Sequence, residues 1–109
     1  MNRTGNVYWR DKLAGLIEET AEGYRFTYDS EYLASPGTKA VSATLPKRVE
    51  AYTSRFLFSF FFGLLAEGEL KRIQCRKLKL DEDDHFGRLI KTAHSDTIGA
   101  VTVVEVPEG

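Results

Sequence analysis

The sequence predicts an α+β domain, a small antiparallel sheet of about four to five strands packed with about three helices. Three observations carry that expectation. Short segments of period-two alternation between apolar and polar residues fill the N-terminal half. A long aromatic run and two amphipathic stretches follow, and a segment of strong β type closes the chain. The 109 residues are enough for one core and too few for two. One domain over 1–109, with its core over about 7–104, is therefore expected.

Taken in order, Val7-Tyr8-Trp9 and Leu13 to Ile17 read as strands joined by a turn at Arg10-Asp11-Lys12, with Gly15 marking a bulge. Tyr24-Arg25-Phe26-Thr27-Tyr28 alternates with period two, which puts Tyr24, Phe26 and Tyr28 on one face of a half-buried strand. Asp29 to Leu33 reads as one helical turn, and Ser35-Pro36-Gly37 as a loop. Val41 to Leu45 alternates again and stops at Pro46, which has no ladder donor. Lys47 to Thr53 is then an exposed crossing loop.

The centre of the sequence is the run from Arg55 to Gly68, which holds five of the seven phenylalanines. It is too long for an ordinary strand, so a helix is expected, capped by Thr53 or Ser54 and ended or kinked by Gly68. Wound at about 100° per residue, its eight large apolar side chains sweep roughly 240° of the circumference, where a surface helix needs little more than about 100°. Such a helix must be covered on nearly every side, by the chain itself or by another protein. A second helix over Glu69 to Lys79 is expected to turn Leu70, Ile73 and Leu78 inward. Asp81-Glu82-Asp83-Asp84 opens a third helix, where acids offset the positive end of the macrodipole, and Phe86, Leu89, Ile90 and Ala93 form its inner side. Ser95-Asp96-Thr97 is a turn before the closing strand, Gly99 to Val104.

Composition excludes several classes of function. A net charge of −1 and a pI near 6.1 give no overall bias toward nucleic acid or an anionic membrane. Ser59 and Gly63 interrupt the longest apolar run, and no apolar signal segment follows Met1. The lone Cys75 has no partner for an internal disulfide, which suits a reducing compartment, so a cytoplasmic location is expected.

Catalytic motifs are equally scarce. Ser35-Pro36-Gly37-Thr38-Lys39 lacks the spacing that lets backbone amides wrap phosphates, and no kinase loops are present. A calcium loop starting at Asp81 would need glycine at its sixth position, where Phe86 stands. His94, Ser95 and Asp96 adjoin one another on a turn and cannot aim at each other as a triad must. The basic cluster Lys71, Arg72, Arg76, Lys77 and Lys79 reads as a solvated helix face beside an acidic run. No catalytic residue, metal or cofactor is expected.

The order of landmarks Ser42-Ala43-Thr44-Leu45-Pro46, Phe61-Phe62-Gly63-Leu64-Leu65-Ala66-Glu67-Gly68, Asp84-His85-Phe86 and Gly99-Ala100-Val101 resembles the N-terminal subdomain of HipA-type toxin kinases. Val7-Tyr8-Trp9, Leu13-Ala14-Gly15 and Tyr32-Leu33-Ala34 are similar to the same family, so the likeness covers about Val7 to Val104. The phenylalanine-rich segment is its most specific piece. Ala66 stands where the family usually has proline, and His94 to Ile98 replaces a glycine-rich turn.

In that family the subdomain precedes a much larger kinase core, which phosphorylates an aminoacyl-tRNA synthetase. Within the family, the sequence most resembles the free-standing HipS-like protein of HipB–HipS–HipT systems. It implies a non-enzymatic antitoxin that binds and inhibits a separate HipT-like serine/threonine kinase. A HipB-like helix-turn-helix DNA-binding protein is the implied third component. A regulatory module, the N-terminal subdomain of a HipA-type kinase or a corepressor partner, is the alternative. A docking surface is expected around Phe58, Phe61, Phe62 and Glu67, with the Lys47–Thr53 loop within reach of the kinase.

Overall fold

The computed structural model describes residues 2–94 and 99–107. Three long strands run back and forth through the first 28 residues: β1 (Thr4–Trp9), β2 (Lys12–Thr20) and β3 (Gly23–Tyr28). They are followed by α1 (Ser30–Ala34), β4 (Tyr52–Ser54), α2 (Ser59–Phe62), α3 (Gly68–Leu78), α4 (His85–Thr92) and β5 (Val101–Glu105). All five strands join one antiparallel sheet in the order β4-β3-β2-β1-β5. The fold is α+β, as the alternation in the N-terminal half and the closing segment of strong β type predict.

Register places one set of side chains on a single face: Val7 opposite Val103 and Gly15, Ile17 opposite Phe26, and Tyr28 opposite Gly15. The Phe26 ring lies over Gly15, and a Cβ at that glycine would run into both the ring and the Thr27 carbonyl. The bulge expected at Gly15 falls beside it. Pairing slips between Val7 and Tyr8, which leaves Ala14 without an opposite residue. The Ala14 carbonyl accepts from the Asp29 amide instead, at 2.8 Å, and so ties the sheet to the start of α1. There the Asp29 carboxylate accepts from the amides of Glu31 and Tyr32.

α4 covers this face with the four residues that the sequence assigns to its inner side, Phe86, Leu89, Ile90 and Ala93, all buried. Asp84 is its N-cap and accepts from the Gly87 amide at 3.1 Å. The same carboxylate takes two hydrogen bonds from the Arg3 guanidinium, at 2.8 and 2.9 Å. Arg3 also grips Glu19 on β2 and lies 5.6 Å above the Phe86 ring. Strand and helix are thereby clamped together through one cation.

Arg3 is the main cause that holds the Asp84 carboxyl below its ordinary range, with help from the Gly87 amide against the cost of burial. A depressed folded-state pKa stabilises the fold above the ordinary carboxylate range, and this stabilisation is lost as pH falls through the folded value. Urea unfolding from about pH 5 to about pH 2 is expected to show stability dropping below about pH 4. An Asp84→Asn variant should start less stable and drop less steeply.

The middle of the chain departs from the sequence reading in three places. Val41 to Leu45 is no strand: Ser42 and Leu45 form an isolated bridge across a tight turn. Val41 and Leu45 are buried because the Tyr28 hydroxyl accepts from the Val41 amide and donates to the Leu45 carbonyl. The fourth strand is Tyr52–Ser54, inside and just beyond the segment expected as loop.

The long aromatic helix is also absent. Ser59–Phe62 makes a single turn, with Phe58 extended before it (ψ 137°) and Gly63 closing it. A helix apolar over most of its circumference needs cover on most sides, and one sheet face offers one side. The chain breaks the helix and sends Phe61 and Leu65 inward. Gly68, expected as a terminator, begins α3 with φ +61°. The third departure is α3 itself. Leu70, Ile73 and Leu78 are 55%, 50% and 47% exposed, and Cys75 is its buried residue. The expected turn at Ser95-Asp96-Thr97 lies outside the described residues.

Candidate partner-binding surface

The four residues expected to dock a partner fall into three environments. Phe61 is fully buried, its ring centroid 5.5 Å from that of Phe26, and so belongs to the core. That corrects its place among the docking residues: the side chain that reads as most central supports the surface from below. Phe58 is half-buried, 6.3 Å from Phe61, and packs against the same core. Phe62 points the other way, is 46% exposed and meets the His85 ring edge-on at 5.1 Å. Glu67, the residue before α3, is exposed.

Phe62 and Glu67 come together at the rim of one small cavity of about 160 Å³, walled also by Leu65, Lys71, His85 and Arg88. Arg88 is 3% exposed and the sole buried charged residue among those described. One guanidinium nitrogen donates to the Ala66 carbonyl at 2.7 Å. Another donates to the Glu82 carbonyl at 3.4 Å and lies 3.5 Å from His85 Nδ1. The sequence gives no hint of this burial. On a helical wheel Arg88 falls opposite the stripe of Phe86, Leu89, Ile90 and Ala93, where solvent is expected. The 63–67 turn closes over that second side of α4, where its Ala66 carbonyl meets Arg88.

Beyond the cavity, Phe62 and the exposed Leu70 and Ile73 add apolar surface to α2 and α3. At other points of the surface, Val49 is 78% and Phe56 77% exposed, on either side of β4. The Val49 loop is held firmly: Arg48 stacks on Tyr52 at 3.6 Å and donates to the carbonyls of Glu50 and Ala51. Large apolar side chains left in solvent on a small domain are candidates for a binding surface. Among the described residues, no group of His, Cys, Asp and Glu could hold a metal ion, and no helix is long and apolar enough to cross a membrane.

A protein of Haemophilus influenzae without assigned function is 30% identical over 103 residues, which span 94% of this chain and 92% of the relative. A Sinorhizobium fredii protein named as a putative kinase is 29% identical over the same share of this chain, which spans only 24% of that relative's length. A solved N-terminal domain of HipA toxin superposes with a TM-score of 0.74 at 25% identity, covering 98% of this chain and 95% of that domain. The family model for the HipA N-terminal domain matches residues 5–104. With that match running from β1 to β5, the chain belongs to the HipA N-terminal domain family.

Proposed function

We propose that this protein is an antitoxin that binds and inhibits a separate HipT-like serine/threonine toxin kinase in the cytoplasm, without catalysing a reaction itself. The observation that carries the reading is the apolar surface of Phe62, Leu70 and Ile73, left exposed on a domain whose family adjoins kinase sequence. Phe62 and Glu67 form the centre and rim of the contact, with Phe58 at its margin. The Haemophilus influenzae relative supports a free-standing form, since 103 aligned residues make up 92% of it. The quarter-length match to a putative kinase favours a second reading, the N-terminal subdomain of a HipA-type kinase. Both readings use the same surface, in the first case between chains and in the second within one.

Titration calorimetry against a HipT-like kinase from the same organism tests the antitoxin reading. A complex at or below about micromolar, roughly −8 kcal/mol, is expected. Kinase autophosphorylation should fall in proportion to the antitoxin added. Phe62→Ser should weaken the complex at least about tenfold, as truncating a central aromatic contact does. No complex at micromolar concentrations, with both proteins folded, would overturn the proposal.

A further inference from the structure

The buried Arg88 has no carboxylate partner among the described residues; its hydrogen bonds go to two carbonyls and approach one imidazole. An ionised guanidinium out of water with no anionic partner is costly, and folds ordinarily pair it with an acid. The second cation on the wall, Lys71, has only Glu82 among the described residues, at 3.9 Å. Phe62 and Leu65 supply an apolar wall, and the cavity's 160 Å³ suits a side chain and not a cofactor.

We infer that this cavity receives one acidic side chain of the partner protein, its carboxylate against Arg88 and Lys71 and its methylene against Phe62. Planar guanidinium and carboxylate groups match in geometry, and desolvation by the surrounding apolar wall strengthens the pair. The inference deepens the docking surface proposed above and rests on that reading for the identity of the partner. Other features carry less. In the larger groove near the β2–β3 turn, Arg25 already pairs with Glu18 at 3.1 Å. Nothing in the structure indicates what covers Val49 or Phe56.

A kinase-free experiment separates this inference from the antitoxin reading. The folded chain is titrated with aspartate blocked at both ends (N-acetyl, N-methylamide) and followed by NMR. Blocked asparagine is the control. Saturable shifts confined to Phe62, Lys71, His85 and Arg88 are expected with aspartate, at least tenfold weaker with asparagine. Lys71→Ala should weaken aspartate binding more than threefold, and Lys77→Ala, away from the cavity, should leave it unchanged. Glu67→Gln should tighten it by removing a like charge from the rim. Equal binding of the two probes, or unsaturable shifts spread over all the basic residues, would overturn the assignment. So would shifts at these same residues on raising protein concentration alone, which would seat a second copy of the chain there.

Discussion

Phe61→Ala is expected to destabilise the protein by about 3–5 kcal/mol, while Phe62→Ala, one position along, costs under about 1 kcal/mol. Phe61 is completely buried and touches the rings of Phe26, Phe58 and Phe60, so its removal leaves a cavity beneath α2 that the sheet cannot collapse to fill. Domains of this size are stable by only about 5–15 kcal/mol, so the loss takes a large share of the total. Phe62 stands half in solvent with one edge contact to His85, and little packing is lost with it. Urea unfolding followed by far-ultraviolet circular dichroism measures both variants. For the proposed partner contact the order is expected to reverse, with Phe62 the sensitive position. Equal destabilisation by the two substitutions would contradict the burial pattern, and with it the choice of Phe62 as the exposed ring.

Tyr28→Phe is expected to cost about 2–4 kcal/mol, since it leaves two buried backbone groups without partners, the Val41 amide and the Leu45 carbonyl, at about 1–3 kcal/mol each. The effect should be local as well as global. Amide exchange across 41–45 should accelerate more than exchange in β1 or β2, because the Tyr28 hydroxyl is what fastens that turn to the sheet. Burial, the largest cause, pushes the Tyr28 phenol from 10.0 up to about 12, against the opposing hydrogen bond from Val41. A raised folded-state pKa gives stability that is complete below the unfolded value and is lost as pH climbs through the folded one. Wild-type stability is therefore expected to decline between pH 10.0 and about 12, and the Tyr28→Phe variant, less stable at neutral pH, should decline less over that interval. An identical alkaline profile for both proteins would remove Tyr28 as the cause.

Local pattern made the sheet and α4 legible. Alternation in Tyr24 to Tyr28, the β-branched closing strand and the spacing of Phe86, Leu89, Ile90 and Ala93 each specify a face by themselves, and each face is the buried one. The excess of apolar side chains in the central run was legible too, and Phe56 and Phe62 remain outside. Its conformation was not. A helix over that whole run satisfies every local rule, yet one sheet face can bury only one side of it. Breaking it at Gly63 lets Phe61 and Leu65 reach the core while Phe62 turns outward.

Tertiary structure decided the rest for similar reasons. Val41 to Leu45 alternates like a strand, but β4 takes the place beside β3, and Tyr28 holds the turn by its hydroxyl. Leu70 and Ile73 have helical spacing on either assignment, and only the docking of Cys75 sets which side of α3 faces the protein. Arg88 falls on the outer side of a helical wheel, and it is buried because the 63–67 turn folds over it and the Ala66 carbonyl accepts from its guanidinium. Sequence by itself determined which segments are amphipathic, because side-chain periodicity is a property of a few consecutive residues. Which of those faces found cover depended on contacts far apart in the chain, and so did the site beneath Phe62.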